Sequence, residues 1–74
     1  MKIKVRLFAT LREGRGKELM MDLGEEVTPA DIIKTLNIGA EEVAILLING
    51  RDGKLETLLK VDDVVSIFPP VGGG

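Results

Sequence analysis

Apolar and polar residues alternate without a break over positions 2–8. Ile3, Val5 and Leu7 fall on one face; Lys2, Lys4, Arg6 and Phe8 fall on the other. A period of two with one apolar face is the pattern of a half-buried strand. Gly14-Arg15-Gly16 has turn chemistry, and positions 17–23 alternate again with Leu19, Met21 and Leu23 in phase. The two segments predict a hairpin, its loop lengthened by residues 9–13. The period then changes. Thr28-Pro29-Ala30-Asp31 reads as a helix start: an N-cap threonine, proline in the first turn where no amide partner is lost, and an early acidic residue. Ile32, Ile33 and Leu36 follow at helical spacing, with Gly39 placed to end the helix. So short a helix is held by packing its apolar stripe, not by propensity.

Positions 43–48 are apolar on both faces, as in a central strand, and Asn49-Gly50-Arg51-Asp52-Gly53 turns the chain. Residues 54–61 fit either a short edge strand or one turn of helix. After Asp62-Asp63, positions 64–68 form the last strand, with Val65 and Ile67 inward. Pairing is expected to stop at Pro69, which has no amide hydrogen to donate. Hairpin, helix and further strands predict an α+β fold, with one main helix across one face of a mixed sheet. A β-grasp arrangement fits, with the first and last strands as parallel neighbours. Periodicity alone does not select it over other small α+β folds. The expected organisation is one β-grasp domain over residues 1–71 and a flexible glycine tail over 72–74.

Composition narrows the chemistry. At 74 residues the chain supports one domain, and a domain near this size buries only about 60% of its extended surface. No stretch approaches the roughly 20 apolar residues of a membrane span, and no signal-peptide pattern opens the chain. The expectation is a cytoplasmic protein with no membrane partner. Cysteine and histidine are both absent. That removes disulfides, thiolate nucleophiles and the commonest general base and metal ligand. A net charge of −2 argues against nucleic acid as a partner. No catalytic constellation and no metal site are found, so a carrier or binding protein is expected and not an enzyme.

The candidate chemistry lies at the end of the chain. Gly72-Gly73-Gly74 can thread a slot too narrow for any side chain, and Pro69 and Pro70 restrain the backbone just before it. The terminal carboxylate of Gly74 is a poor electrophile. It would have to be activated, most naturally as an acyl-adenylate, before sulfur or an amine could attack. Glycines alone also fit a frayed terminus; Phe68-Pro69-Pro70-Val71 directly before them tips the reading toward function. Strand parity puts Phe8 on the outer face with Lys2, Lys4 and Arg6, and Phe68 outward with Ser66. On a pair of neighbouring edge strands the two rings would meet, and exposed aromatics rimmed by charge mark a protein-binding patch. One of Leu58 and Leu59 is a candidate extension of it. Gly14-Arg15-Gly16-Lys17 and Gly50-Arg51-Asp52-Gly53-Lys54 lack the phosphate-loop pattern and fit turns better. Glu25-Glu26, Glu41-Glu42 and Asp62-Asp63 fit solvated loop charges, and Met20 and Met21 ordinary strand packing.

The whole chain resembles the MoaD type of ubiquitin-like sulfur carrier. The resemblance is carried by Ile3-Lys4-Val5-Arg6-Leu7-Phe8-Ala9, Leu11-Arg12-Glu13, Thr28-Pro29, Ile48-Asn49-Gly50 and, most specifically, Phe68-Pro69-Pro70-Val71 before Gly73-Gly74. It implies a β-grasp, ubiquitin-like fold and no bound cofactor. It further implies that a ThiF/MoeB-like activating enzyme uses ATP to adenylate Gly74, which then becomes a thiocarboxylate. Sulfur would pass to a pterin precursor in the large subunit of molybdopterin synthase. Gly72, Gly73 and Gly74 would thread the partner's active site, and Phe8, Leu59, Phe68, Pro69, Pro70 and Val71 would form the docking patch. Gly72 stands where the family often carries a larger or hydroxylated residue. Two alternatives stay open: a ubiquitin-like modifier joined through Gly74 to target-protein lysines, and a sulfur carrier for another pathway such as tRNA thiolation or thiamine synthesis. A binding module with an inert tail is the blandest reading.

Overall fold

The computed structural model describes residues 1–71. Five strands and one α-helix form the domain: β1 (Lys2–Leu7), β2 (Glu18–Asp22), α1 (Pro29–Thr35), β3 (Ile45–Ile48), β4 (Arg51–Asp52) and β5 (Val64–Phe68). The sheet order is β2-β1-β5-β3-β4. β1 runs antiparallel to β2 and parallel to β5, while β3 runs antiparallel to both β5 and β4. This is the expected β-grasp arrangement, with the first and last strands as parallel neighbours. The central strand, however, is β5. The apolar run at 43–48 supplies β3 one place further out, and Ile45 at its start is 52% exposed.

The core lies between the helix and one sheet face. Ile3, Val5 and Leu7 of β1 and Val65 and Ile67 of β5 are buried, as parity requires, and Ile32 and Ile33 close over them from α1. Among the described residues no polar or charged side chain is buried, so apolar contact alone fills the interior. Of the two methionines on β2, Met21 packs against the core, while Met20 is 62% exposed on the outer face and is not the packing residue expected.

Thr28 caps α1 as read. Its Oγ1 accepts from the Asp31 amide at 3.4 Å, and the Asp31 carboxylate accepts from the Thr28 amide at 3.0 Å. The helix ends earlier than expected, because Asn37 and not Gly39 takes the left-handed conformation (φ +61°). The Ile38 amide donates to the Ile33 carbonyl at 2.8 Å and the Asn37 amide to the Lys34 carbonyl at 3.1 Å. These two bonds satisfy carbonyls that the helix leaves unpaired. Arg15, from the β1–β2 connection, donates to the carbonyls of Leu36 at 3.1 Å, Leu11 at 3.2 Å and Asn37 at 3.4 Å. One guanidinium thereby ties that connection, whose residues Ala9–Arg12 form a 3₁₀ turn, to the carbonyl end of the helix.

Asn49-Gly50 alone makes the next turn, with φ of +53° and +80°, the two-residue hairpin geometry this pair favours. Arg51 and Asp52, expected within the turn, instead pair back on Ile48 and Leu47 as the short edge strand β4. Asn49 Oδ1 accepts from the Val64 amide at 2.9 Å, and its Nδ2 donates to Asp63 Oδ1 at 2.8 Å. Asp63 also accepts from the Lys60 amide at 2.7 Å, so this carboxylate pins a loop and is not merely solvated. Residues 54–61 form neither strand nor helix. They are held by the Leu59 amide on the Val27 carbonyl (2.8 Å) and the Ala30 amide on the Leu55 carbonyl (3.0 Å).

Asn49 offers a direct check. Asn49→Ala removes two side-chain hydrogen bonds and places alanine at positive φ, so a loss of about 2–3 kcal/mol is expected in urea melts. Asn49→Gly relieves the backbone but restores neither bond, and should fall between wild type and alanine. Equal stability for all three would mean that the Asn49 side chain locks nothing.

Candidate partner-docking site

The parallel pairing of β1 and β5 sets Lys4 beside Val64, Arg6 beside Ser66 and Leu7 beside Ile67. One step further along the same register, Phe8 and Phe68 come side by side on the outer face. Neighbouring strands lie about 4.8 Å apart, a spacing that suits stacked rings. The two phenyl centroids are 4.0 Å apart and their planes differ by 9°. Both phenylalanines are half-buried. The strands that bring them together are the two inner strands β1 and β5, not the pair of edges expected.

Pro69, Pro70 and Val71 extend this surface beyond the last ladder bond, and Val71 is 95% exposed. Together with Phe8, Ala9, Thr10 and Phe68 they line a groove of about 450 Å³. Ile45, opposite Phe68 across the β3–β5 ladder, adds a further exposed apolar side chain, since directly opposed residues share a face. Sequence reading missed Ile45 by treating its segment as buried on both sides. Parity from the buried Leu46 would have placed it outward.

Leu59 does not belong to the surface. It is 5% exposed and part of the core, and its backbone amide donates a hydrogen bond to the Val27 carbonyl. Leu58 is the exposed neighbour, at 63%. The irregular segment has no period, so sequence spacing gave no parity to choose between them. Gly72, Gly73 and Gly74 lie outside the described residues. Arg12, also passed over as a site residue, places its guanidinium 5.3 Å from the Phe8 ring centroid while its Nε donates to the Leu7 carbonyl at 2.9 Å. The arrangement is thus a half-exposed aromatic pair leading directly into the last residues. It offers an apolar surface in which Thr10 is the one polar lining residue among those described.

The ThiS family matches residues 5–74. The chain belongs to that family. Small archaeal modifier protein 3 of Haloferax volcanii is 33% identical over the full length of both chains. Among solved structures, the small archaeal modifier protein 1 of Methanosarcina acetivorans is 35% identical with a TM-score of 0.70, the match covering 99% of this chain and 96% of that one. A putative molybdopterin converting factor subunit 1 from Pyrococcus furiosus is 29% identical with a TM-score of 0.77, covering 96% and 99%. The fold also occurs in a Helicobacter pylori complex of subunits 1 and 2 of molybdopterin-converting factor, 25% identical over the whole of both chains with a TM-score of 0.65. This member of the ThiS family is therefore ubiquitin-like, of the sulfur-carrier or small-modifier type, and its relatives include a subunit solved with its partner. Among the described residues no helix is long and apolar enough to cross a membrane.

Adjacent positions on β5 test which side chain serves the fold. Ile67→Ala empties a fully buried site and should cost about 2–5 kcal/mol. Phe68→Ala removes a half-exposed stacked ring and should cost about 1–2 kcal/mol. Denaturant melts giving the reverse order would make Phe68 a core residue and dissolve the docking surface.

Proposed function

We propose that this chain is a sulfur carrier of the molybdopterin type. A ThiF/MoeB-like enzyme activates the Gly74 carboxylate with ATP, forming an acyl-adenylate and releasing pyrophosphate. A sulfur nucleophile then displaces AMP and leaves a thiocarboxylate. The tail of Gly72, Gly73 and Gly74 enters the large subunit of molybdopterin synthase and delivers sulfur to a pterin on the way to the Mo/W cofactor. The chain contributes no catalytic residue: it docks through Phe8, Phe68, Pro69, Pro70 and Val71 and presents its terminus.

The observation that carries this reading is the continuity of that surface. The stacked pair and Pro69-Pro70-Val71 form one groove, and the family match runs through it to residue 74. A partner gripping the rings is then within a few residues of the carboxylate, since an extended residue spans about 3.5 Å. A second reading has its own support. The 33% identical relative is a small archaeal modifier protein, which favours a modifier whose activated Gly74 is attacked by a lysine amine, forming an isopeptide bond. Activation is common to both.

Intact-mass measurement of protein purified with its native terminus tests the proposal. With activating enzyme, ATP and a sulfur donor, a species in which sulfur replaces one oxygen is expected, and deletion of Gly73-Gly74 should abolish it. Gly74 found only on lysine-bearing peptides would favour the modifier instead. An unchanged mass under all conditions would refute both.

A further inference from the structure

Beside Phe8, on the β2 side of β1, lies a second groove of about 390 Å³, lined by Arg6, Phe8, Arg12, Lys17 and Glu18. The aromatic surface does not account for its charge. Its carboxylate is already engaged: Glu18 lies 3.2 Å from Arg6 Nε and 3.9 Å from Lys4 Nζ. Arg12 is differently placed. Its Nε is held by the Leu7 carbonyl at 2.9 Å and its guanidinium lies 5.3 Å from the Phe8 centroid. Among the described residues its terminal nitrogens meet no acceptor, and neither does the Lys17 ammonium. Among the described residues these cations of the groove thus lack an acidic partner, on a chain of net charge −2.

We infer that this groove receives a carboxylate from an acidic, apolar-tipped segment of the activating enzyme, with Arg12 as the specific contact. The inference rests on the proposed function and deepens it, because activation is the step that both readings share. Phe8 lines both grooves, so the charged site and the apolar docking surface are continuous. A planar guanidinium oriented in advance presents two parallel donors to a carboxylate, and little side-chain freedom remains to be lost on binding. Lys17 adds charge at the rim. Opposite charge flanking an apolar contact fixes register and speeds encounter. Nucleic acid fits less well, since backbone recognition needs a longer run of cations than this groove has.

ATP–pyrophosphate exchange, with the native-terminus chain as substrate of a ThiF/MoeB-like enzyme from the same organism, decides the matter. Arg12→Glu should raise KM for the chain about 30-fold while kcat stays within about two-fold. Arg12→Lys keeps the charge but not the paired donors, and should raise KM about five-fold. Lys17→Glu breaks no side-chain bond among the described residues and should also raise KM about five-fold; it keeps the test open if Arg12→Glu fails to fold by amide NMR. Added salt should weaken wild type more than Arg12→Glu. Exchange with KM unmoved by these charge reversals, or a loss confined to kcat, overturns the inference and leaves the proposed function standing. No exchange with wild type overturns both. Arg12-dependent binding of a single-stranded RNA 20-mer, with KM unmoved, would assign the groove to nucleic acid instead.

Discussion

The parallel pairing of β1 with β5 is the constraint on which the rest of the molecule depends. It places the chain's opening and closing strands side by side in the middle of the sheet. Side chains at matched positions of two parallel strands point the same way and stand one strand spacing apart. On the inner face the result is Ile3, Val5, Leu7, Val65 and Ile67, all without solvent exposure. On the outer face, one step past the ladder, it is the stacked Phe8 and Phe68. Core and aromatic surface are therefore two sides of the same register. A slip of one residue would reverse both at once.

Around that centre, polar side chains do local mechanical work at the periphery. Arg15 fastens the long hairpin connection to the end of α1, and Asn49 with Asp63 fastens the β3–β4 turn to the start of β5. The common theme in these contacts is backbone satisfaction: each side chain answers an amide or carbonyl that no ladder reaches. The rim pairs of Glu18 with Arg6 and Lys4 are half exposed and contribute little stability. They matter more for which charges remain available beside Phe8.

Most of the fold was legible. Strict alternation over positions 2–8 assigned every side chain of β1 to its observed face, and Thr28-Pro29-Ala30-Asp31 located the helix start. The same local rules failed where two residues could satisfy one geometric demand. Asn37 reached the left-handed conformation before Gly39 could, because helix C-caps accept asparagine as well as glycine. Asn49-Gly50 completed a turn that composition had spread over five residues, freeing Arg51 and Asp52 to pair as β4. Of the candidate patch, parity had already turned Phe8 and Phe68 outward, where they stack, whereas the exposure of Ile45 and the position of Arg12 over Phe8 were not read and Leu59 lies in the core.

By itself the amino-acid sequence determined the facing of each regular strand, the start of the helix, the stop at Pro69 and the glycine run beyond it. Those are local properties, set by side-chain period, proline's missing donor and glycine's missing Cβ. Only the tertiary structure decided which strands are neighbours, that the rings stack, that Leu59 turns into the core and that Arg12 overlies Phe8. These are contacts between segments far apart in the chain. Their register is chosen by burial of the whole apolar set, which no local window contains.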